Sequence, residues 1–109
     1  MPKFLVLYES SVPPREMMAQ ATPEQMQAGM EAWTSWFGKA GGAIADPGSP
    51  VAAGATVGGA GGNDRVTGFS ILEADSEEAV KGLLDGHPHL QSPGEPSIAV
   101  YEFLSMPGM

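Results

Sequence analysis

Both ends of the chain carry a short, almost continuous apolar run, Phe4-Leu-Val-Leu-Tyr8 near the start and Ser97-Ile-Ala-Val-Tyr-Glu-Phe-Leu104 near the end. Runs this short and rich in β-formers read as strands rather than helices. Alternate residues of each run are apolar on both sides: Leu5 and Leu7 oppose Phe4, Val6 and Tyr8, while Ile98, Val100 and Leu104 oppose Ala99, Tyr101 and Phe103. A strand of this kind needs cover on both faces. The fold must therefore hold its first and last elements in a sheet that is apolar above and below.

Between these runs stand two helix starts. Thr22-Pro-Glu-Gln25 combines an N-cap threonine, proline at the first helical position and a glutamine that completes a capping box. The apolar residues Met26, Met30, Trp33, Phe37 and Ala40 then step by four and three, which predicts a helix of about five turns with one inward stripe, stopped by Gly41 and Gly42. Asp75-Ser-Glu-Glu78 opens a second helix, with Ala79, Val80, Leu83 and Leu84 as its buried face and Gly86 as its end.

The remaining segments are weaker. Ser10 to Pro14 breaks the first strand, and a loop with Met17 and Met18 follows. Ala43 to Ala45 is a brief second strand ended by Asp46-Pro-Gly-Ser-Pro50. Arg65 to Glu73 is a third strand in which Gly68 marks a bulge or a close backbone approach. The order β-α-β-β-α-β is the split βαβ arrangement of the ferredoxin-like fold, an α+β class in one domain over residues 1–109. Both helices cover one sheet face. The other face is left apolar and open, so a homodimer packed through sheet faces is expected.

Ten of the fifteen glycines fall between Gly38 and Gly68, and Val51 to Gly62 holds five glycines, four alanines and no charge. The stretch from about 46 to 64 reads as a flexible segment, a weak strand-and-turn or a flap. It is no phosphate loop, since Gly58-Gly-Ala-Gly-Gly62 lacks the Gly-Lys-Ser/Thr ending. Absence of cysteine excludes thiolate chemistry and cysteine-ligated zinc. A net charge of −8 disfavours nucleic acid and anionic membranes as partners. Neither a signal peptide nor a membrane span is legible, so a cytoplasmic protein is expected.

Two histidines, His87 and His89, flank Pro88 in the loop after the second helix. Imidazoles move protons near neutral pH, so both are candidate acid/base groups; the competing reading is that His87 caps the helix end while His89 packs in the loop. Asp46 is the single charge between Ala40 and Asn63. It is either a general base in an apolar pocket or the residue that starts the Pro47-Gly48 turn. Joined to a carboxylate, the two histidines have the donors for a metal, but their spacing suits a strand better than a turn, and neither metal nor cofactor is expected. Tyr8, Met30, Trp33 and Trp36 are candidate lining for a small apolar or aromatic ligand.

The chain resembles the YCII-related family, including its DGPF branch. The resemblance lies in Lys3 to Tyr8, the capped helix from Thr22 through Trp36 to Ala40-Gly41, Gly68-Phe-Ser-Ile-Leu-Glu-Ala-Asp-Ser76, Gly86-His-Pro-His-Leu90 and Ser97 to Glu102. It implies a small dimeric α/β barrel and a lyase- or isomerase-type enzyme using His/Asp proton transfer in a dimer cleft, the alternative being a noncatalytic ligand-binding or structural homodimer. It also implies a histidine on the first helix, where this chain has Met30, paired with an aspartate near Asp46. The Asp-Gly-Pro-Phe motif is absent.

Overall fold

A computed structural model describes residues 1–59 and 64–107. In chain order it contains β1 (Lys3–Glu9), α1 (Pro14–Gln20), α2 (Pro23–Ala40), β2 (Ile44–Pro50), β3 (Val66–Glu73), α3 (Glu77–Leu84) and β4 (Ser97–Glu102), with single 3-10 turns at Gly41–Ala43 and Pro88–Gln91. The four strands form one antiparallel sheet ordered β2-β3-β1-β4. This α+β architecture is compatible with a ferredoxin-like fold.

Side-chain alternation along β1 and β3 decides what is buried. Phe4, Val6 and Tyr8 on β1, with Ser70 and Leu72 on β3, point to the helix side and are buried there against Trp36 and Ala40 of α2 and Val80 and Leu84 of α3. The opposite face carries Leu5, Leu7, Phe69, Ile71 and Ala99, each half-buried, and the exposed Tyr101.

Both expected helix caps are present. The Thr22 hydroxyl accepts from the Gln25 N–H at 3.1 Å while the Gln25 side chain accepts from the Thr22 N–H at 2.9 Å; the Ser76 hydroxyl accepts from the Ala79 N–H at 3.1 Å. Each satisfies a donor that a helix start leaves unpaired.

Three local expectations are corrected. The segment after Pro13 is a helix, α1, because Pro14 occupies its first turn, where a missing N–H costs nothing. The second strand does not stop at Asp46: β2 runs through Pro47 to Pro50, which an edge strand allows because its outer N–H groups have no ladder partner. The inward stripe of α2 covers only its second half. Met26 and Met30 are 48% and 71% exposed, while Trp33, Trp36, Phe37 and Ala40 carry the packing.

Gly48 explains how β2 continues past its prolines. Its φ is +79°, and a Cβ there would lie on the Phe69 carbonyl oxygen, so the register shift between Asp46 and Ser49 requires glycine. Gly68 is a place of close backbone approach, where a Cβ would stand 3.2 Å from the Ser49 carbonyl oxygen, and the bulge lies one residue earlier. Tyr8 pairs with Gly68 and Glu9 with Val66, leaving Thr67 as the extra residue, its hydroxyl donating to the Tyr8 carbonyl at 3.0 Å. Residues 52–59 are exposed and form neither helix nor strand, with Val57 94% exposed; the remainder of the Gly/Ala-rich stretch up to Asn63 lies outside the described residues.

Candidate functional site

The end of α3 builds the site. Gly86, with φ +70°, turns the chain back over the core, and the His87 N–H donates to the Leu84 carbonyl at 3.1 Å. It is thus the backbone of His87 that closes α3. Its ring does something else: Nδ1 accepts from the His89 N–H at 2.9 Å and so caps the following Pro88–Gln91 turn.

That bond fixes the tautomer. An Nδ1 that accepts carries no proton, so the neutral ring bears its hydrogen on Nε2. Nε2 is the one buried side-chain nitrogen or oxygen without a hydrogen-bond partner among the described residues. His87 is wholly buried, and this burial, aided by repulsion from His89, lowers its pKa to about 4. At pH 7 it is a neutral imidazole with a spare donor.

The ring lies in an aromatic enclosure. Tyr8 stacks on it at 5.0 Å between centroids and 29° between planes, whereas Trp36 and Trp33 meet it edge-on at 4.3 and 4.6 Å. Trp36 is held by its own Nε1–H, which donates to the Leu83 carbonyl at 2.8 Å in the last turn of α3. His89 is also buried, 5.4 Å from the Tyr8 ring, with Nε2 2.8 Å from the Glu9 carbonyl. Because a carbonyl only accepts, Nε2 must donate, and Nδ1 of neutral His89 is left as its acceptor atom.

Tyr8 is fixed from its other end. Its hydroxyl donates to Ser70 Oγ at 2.9 Å, and Ser70 donates to the Pro47 carbonyl at 2.9 Å. Burial raises the phenol pKa, against the smaller lowering effect of the Ser70 bond.

Of the residues singled out from the sequence, the fold brings Tyr8, Trp33, Trp36, His87 and His89 into one cluster. Met30 sits away from it, exposed on α2 beside an open groove with Met26 and Thr34. Asp46 is exposed on β2, and its Oδ1 accepts from the Gly48 N–H at 2.8 Å. Ser70 was not singled out. Its signal was a hydroxyl residue in an apolar strand, in phase with the buried Leu72.

No protein-family model matches the chain, and no curated protein matches it. The fold is similar to that of a solved structure. That structure is the 5-chloro-2-hydroxyhydroquinone dehydrochlorinase from Burkholderia phenoliruptrix AC1100 in complex with 2,5-dihydroxybenzoquinone, 19% identical over 94% of this chain and 93% of that one, with a TM-score of 0.57. Among the described residues no helix is long and apolar enough to cross a membrane.

Proposed function

We propose that the protein is a small-molecule enzyme of the lyase type, related to the YCII family, that takes a compact aromatic or quinonoid compound against the ring cluster. The observation that carries this reading is the buried, unpartnered Nε2–H of His87. Leaving such a donor unsatisfied costs about 1–3 kcal/mol, and a group retained at that cost is a candidate for work on a ligand. The dehydrochlorinase of the same fold, complexed with a dihydroxybenzoquinone, supplies the substrate class.

The two imidazoles divide the chemistry. His87 is a poor base, since its Nδ1 lone pair is engaged and its pKa is low, but a neutral imidazole N–H polarises a carbonyl or steadies a ring oxygen that gains charge. His89 keeps Nδ1 as proton acceptor. His89 would take the proton of one substrate hydroxyl and return it to the ring carbon that bears chlorine, forming a ring carbonyl beside His87; loss of a second hydroxyl proton would then form the second carbonyl and expel chloride with its bonding pair, leaving a quinone and HCl. Trp33 is the half-buried member of the cluster, so a ligand enters on its side. The complete burial of His87 favours one second reading, a noncatalytic binder of the same compounds.

Calorimetric titration with 2,5-dihydroxybenzoquinone tests both. Saturable binding is expected, together with chloride release from a chlorinated hydroxyhydroquinone that falls roughly 100-fold or more in His89→Gln. Binding without turnover selects the noncatalytic reading, and no binding removes both.

The protein is further proposed to be a homodimer through its open sheet face, on the support of the half-buried Leu5, Leu7, Phe69 and Ile71. Sedimentation should give twice the 11.3 kDa chain mass, and Leu7→Asp should halve it. A wild-type protein that sediments as a single chain at tens of micromolar excludes this interface.

A further inference from the structure

We propose that Asp46 and Ser70 are positioning residues for the ring cluster: the Asp46 carboxylate shapes the β2 bulge so that the Pro47 carbonyl holds Ser70, and Ser70 holds the Tyr8 ring against His87. The inference rests on the reading that this cluster is the ligand site. It gives Asp46 a role through backbone geometry instead of proton transfer.

The direction of every bond in the path is fixed by chemistry. The Pro47 carbonyl can only accept, so the Ser70 hydroxyl spends its single proton there at 2.9 Å. Ser70 Oγ can then only accept from Tyr8, whose phenol must donate, also at 2.9 Å. A phenol so held has little freedom about its ring axis, and its ring face stacks on His87 at 29°. Ser70 is wholly buried, so water cannot take over either bond.

At the far end, the Pro47 carbonyl is aimed by the turn around it. Gly48 has φ +79°, and its N–H is bound by Asp46 Oδ1 at 2.8 Å. Removing that acceptor frees the Gly48 amide and lets the Pro47–Gly48 peptide, which carries the carbonyl in question, rotate. Pro47 and Gly48 are thereby the joint between an exposed carboxylate and a buried imidazole.

The test reads the imidazole directly and needs no ligand. The chain has two histidines, so histidine-selective NMR at pH 7 yields two sets of ring signals, assigned by His89→Gln. Those of His87 are displaced by the currents of three neighbouring rings. Asp46→Asn keeps an oxygen for the Gly48 N–H and should leave the displacement intact. Asp46→Ala and Ser70→Ala should each remove the part of it that Tyr8 contributes and leave the part due to Trp33 and Trp36, and in a Tyr8→Phe background Asp46→Ala should add nothing. Unmoved His87 signals in folded Ser70→Ala and Asp46→Ala overturn the proposal, and so does Asp46→Asn acting like Asp46→Ala, which would point to the charge. Should Asp46→Ala not fold, Ser70→Ala and Asp46→Asn decide alone. The expected changes of the His87 signals in a protein that binds no quinone would count against the lyase reading and leave the positioning role standing.

Discussion

Trp36→Ala should lower the unfolding free energy by roughly 4 kcal/mol in a urea titration, the range found when large buried aromatics are truncated. Trp36 is 4% exposed and joins the second half of α2 to the last turn of α3. Truncation opens a cavity beside Trp33, Phe37 and His87. It also strips the Leu83 carbonyl of its donor, one of the four that a helix end cannot satisfy internally. Trp36→Phe separates the parts: it refills most of the volume and loses only the Nε1–H bond, so a cost of about 1–2 kcal/mol is expected. A loss below about 1 kcal/mol in the alanine variant would mean that the two helices are joined elsewhere.

The second large effect is on pH dependence. An unfolded histidine titrates near 6.5, whereas folded His87 does so at about 4. Between those values the unfolded chain binds the extra proton, so stability rises with pH. The contribution is complete above pH 6.5 and is lost as the pH falls towards 4. The whole window corresponds to about 3 kcal/mol. Carboxylates begin to titrate at its lower end, and comparison with His87→Asn removes them, since asparagine keeps an acceptor for the His89 N–H without an imidazole. Wild type should lose about 3 kcal/mol more than this variant between pH 7 and pH 4. Equal losses would show that His87 is protonated in the folded protein.

Much of this fold was legible because its caps and strands are local. Thr22-Pro-Glu-Gln25 and Ser76 announce α2 and α3 through side chains within three residues of the bonds they make. The errors arose where a local rule met an unseen position. Pro14 and Pro47 are strand breakers in general, but one stands at a helix start and the other on a sheet edge, and neither fact is written in the neighbouring residues. Periodicity gave α2 an apolar stripe, yet it cannot tell which end of an 18-residue helix lies over the sheet.

In the candidate site, His87, His89, Tyr8 and both tryptophans were nameable as residue types suited to a ring-binding cleft. Their roles were not. The tautomer of His87 depends on a backbone amide two residues away, and its low pKa depends on rings contributed by β1 and α2. Ser70 stands out in the sequence as a hydroxyl in phase with Leu72, but its role is not legible there, since its two partners lie 62 and 23 residues away.

The two edges of the sheet have unequal character. On β2 the pair Pro47 and Pro50, together with the Gly48 bulge, removes donors and bends the rim, so a foreign strand finds no continuous ladder there. β4 has no proline between Ser97 and Glu102 and keeps its outward amides and carbonyls in regular order. Recruitment of any additional strand is therefore channelled to one rim, and aggregation through backbone pairing would propagate from β4 alone.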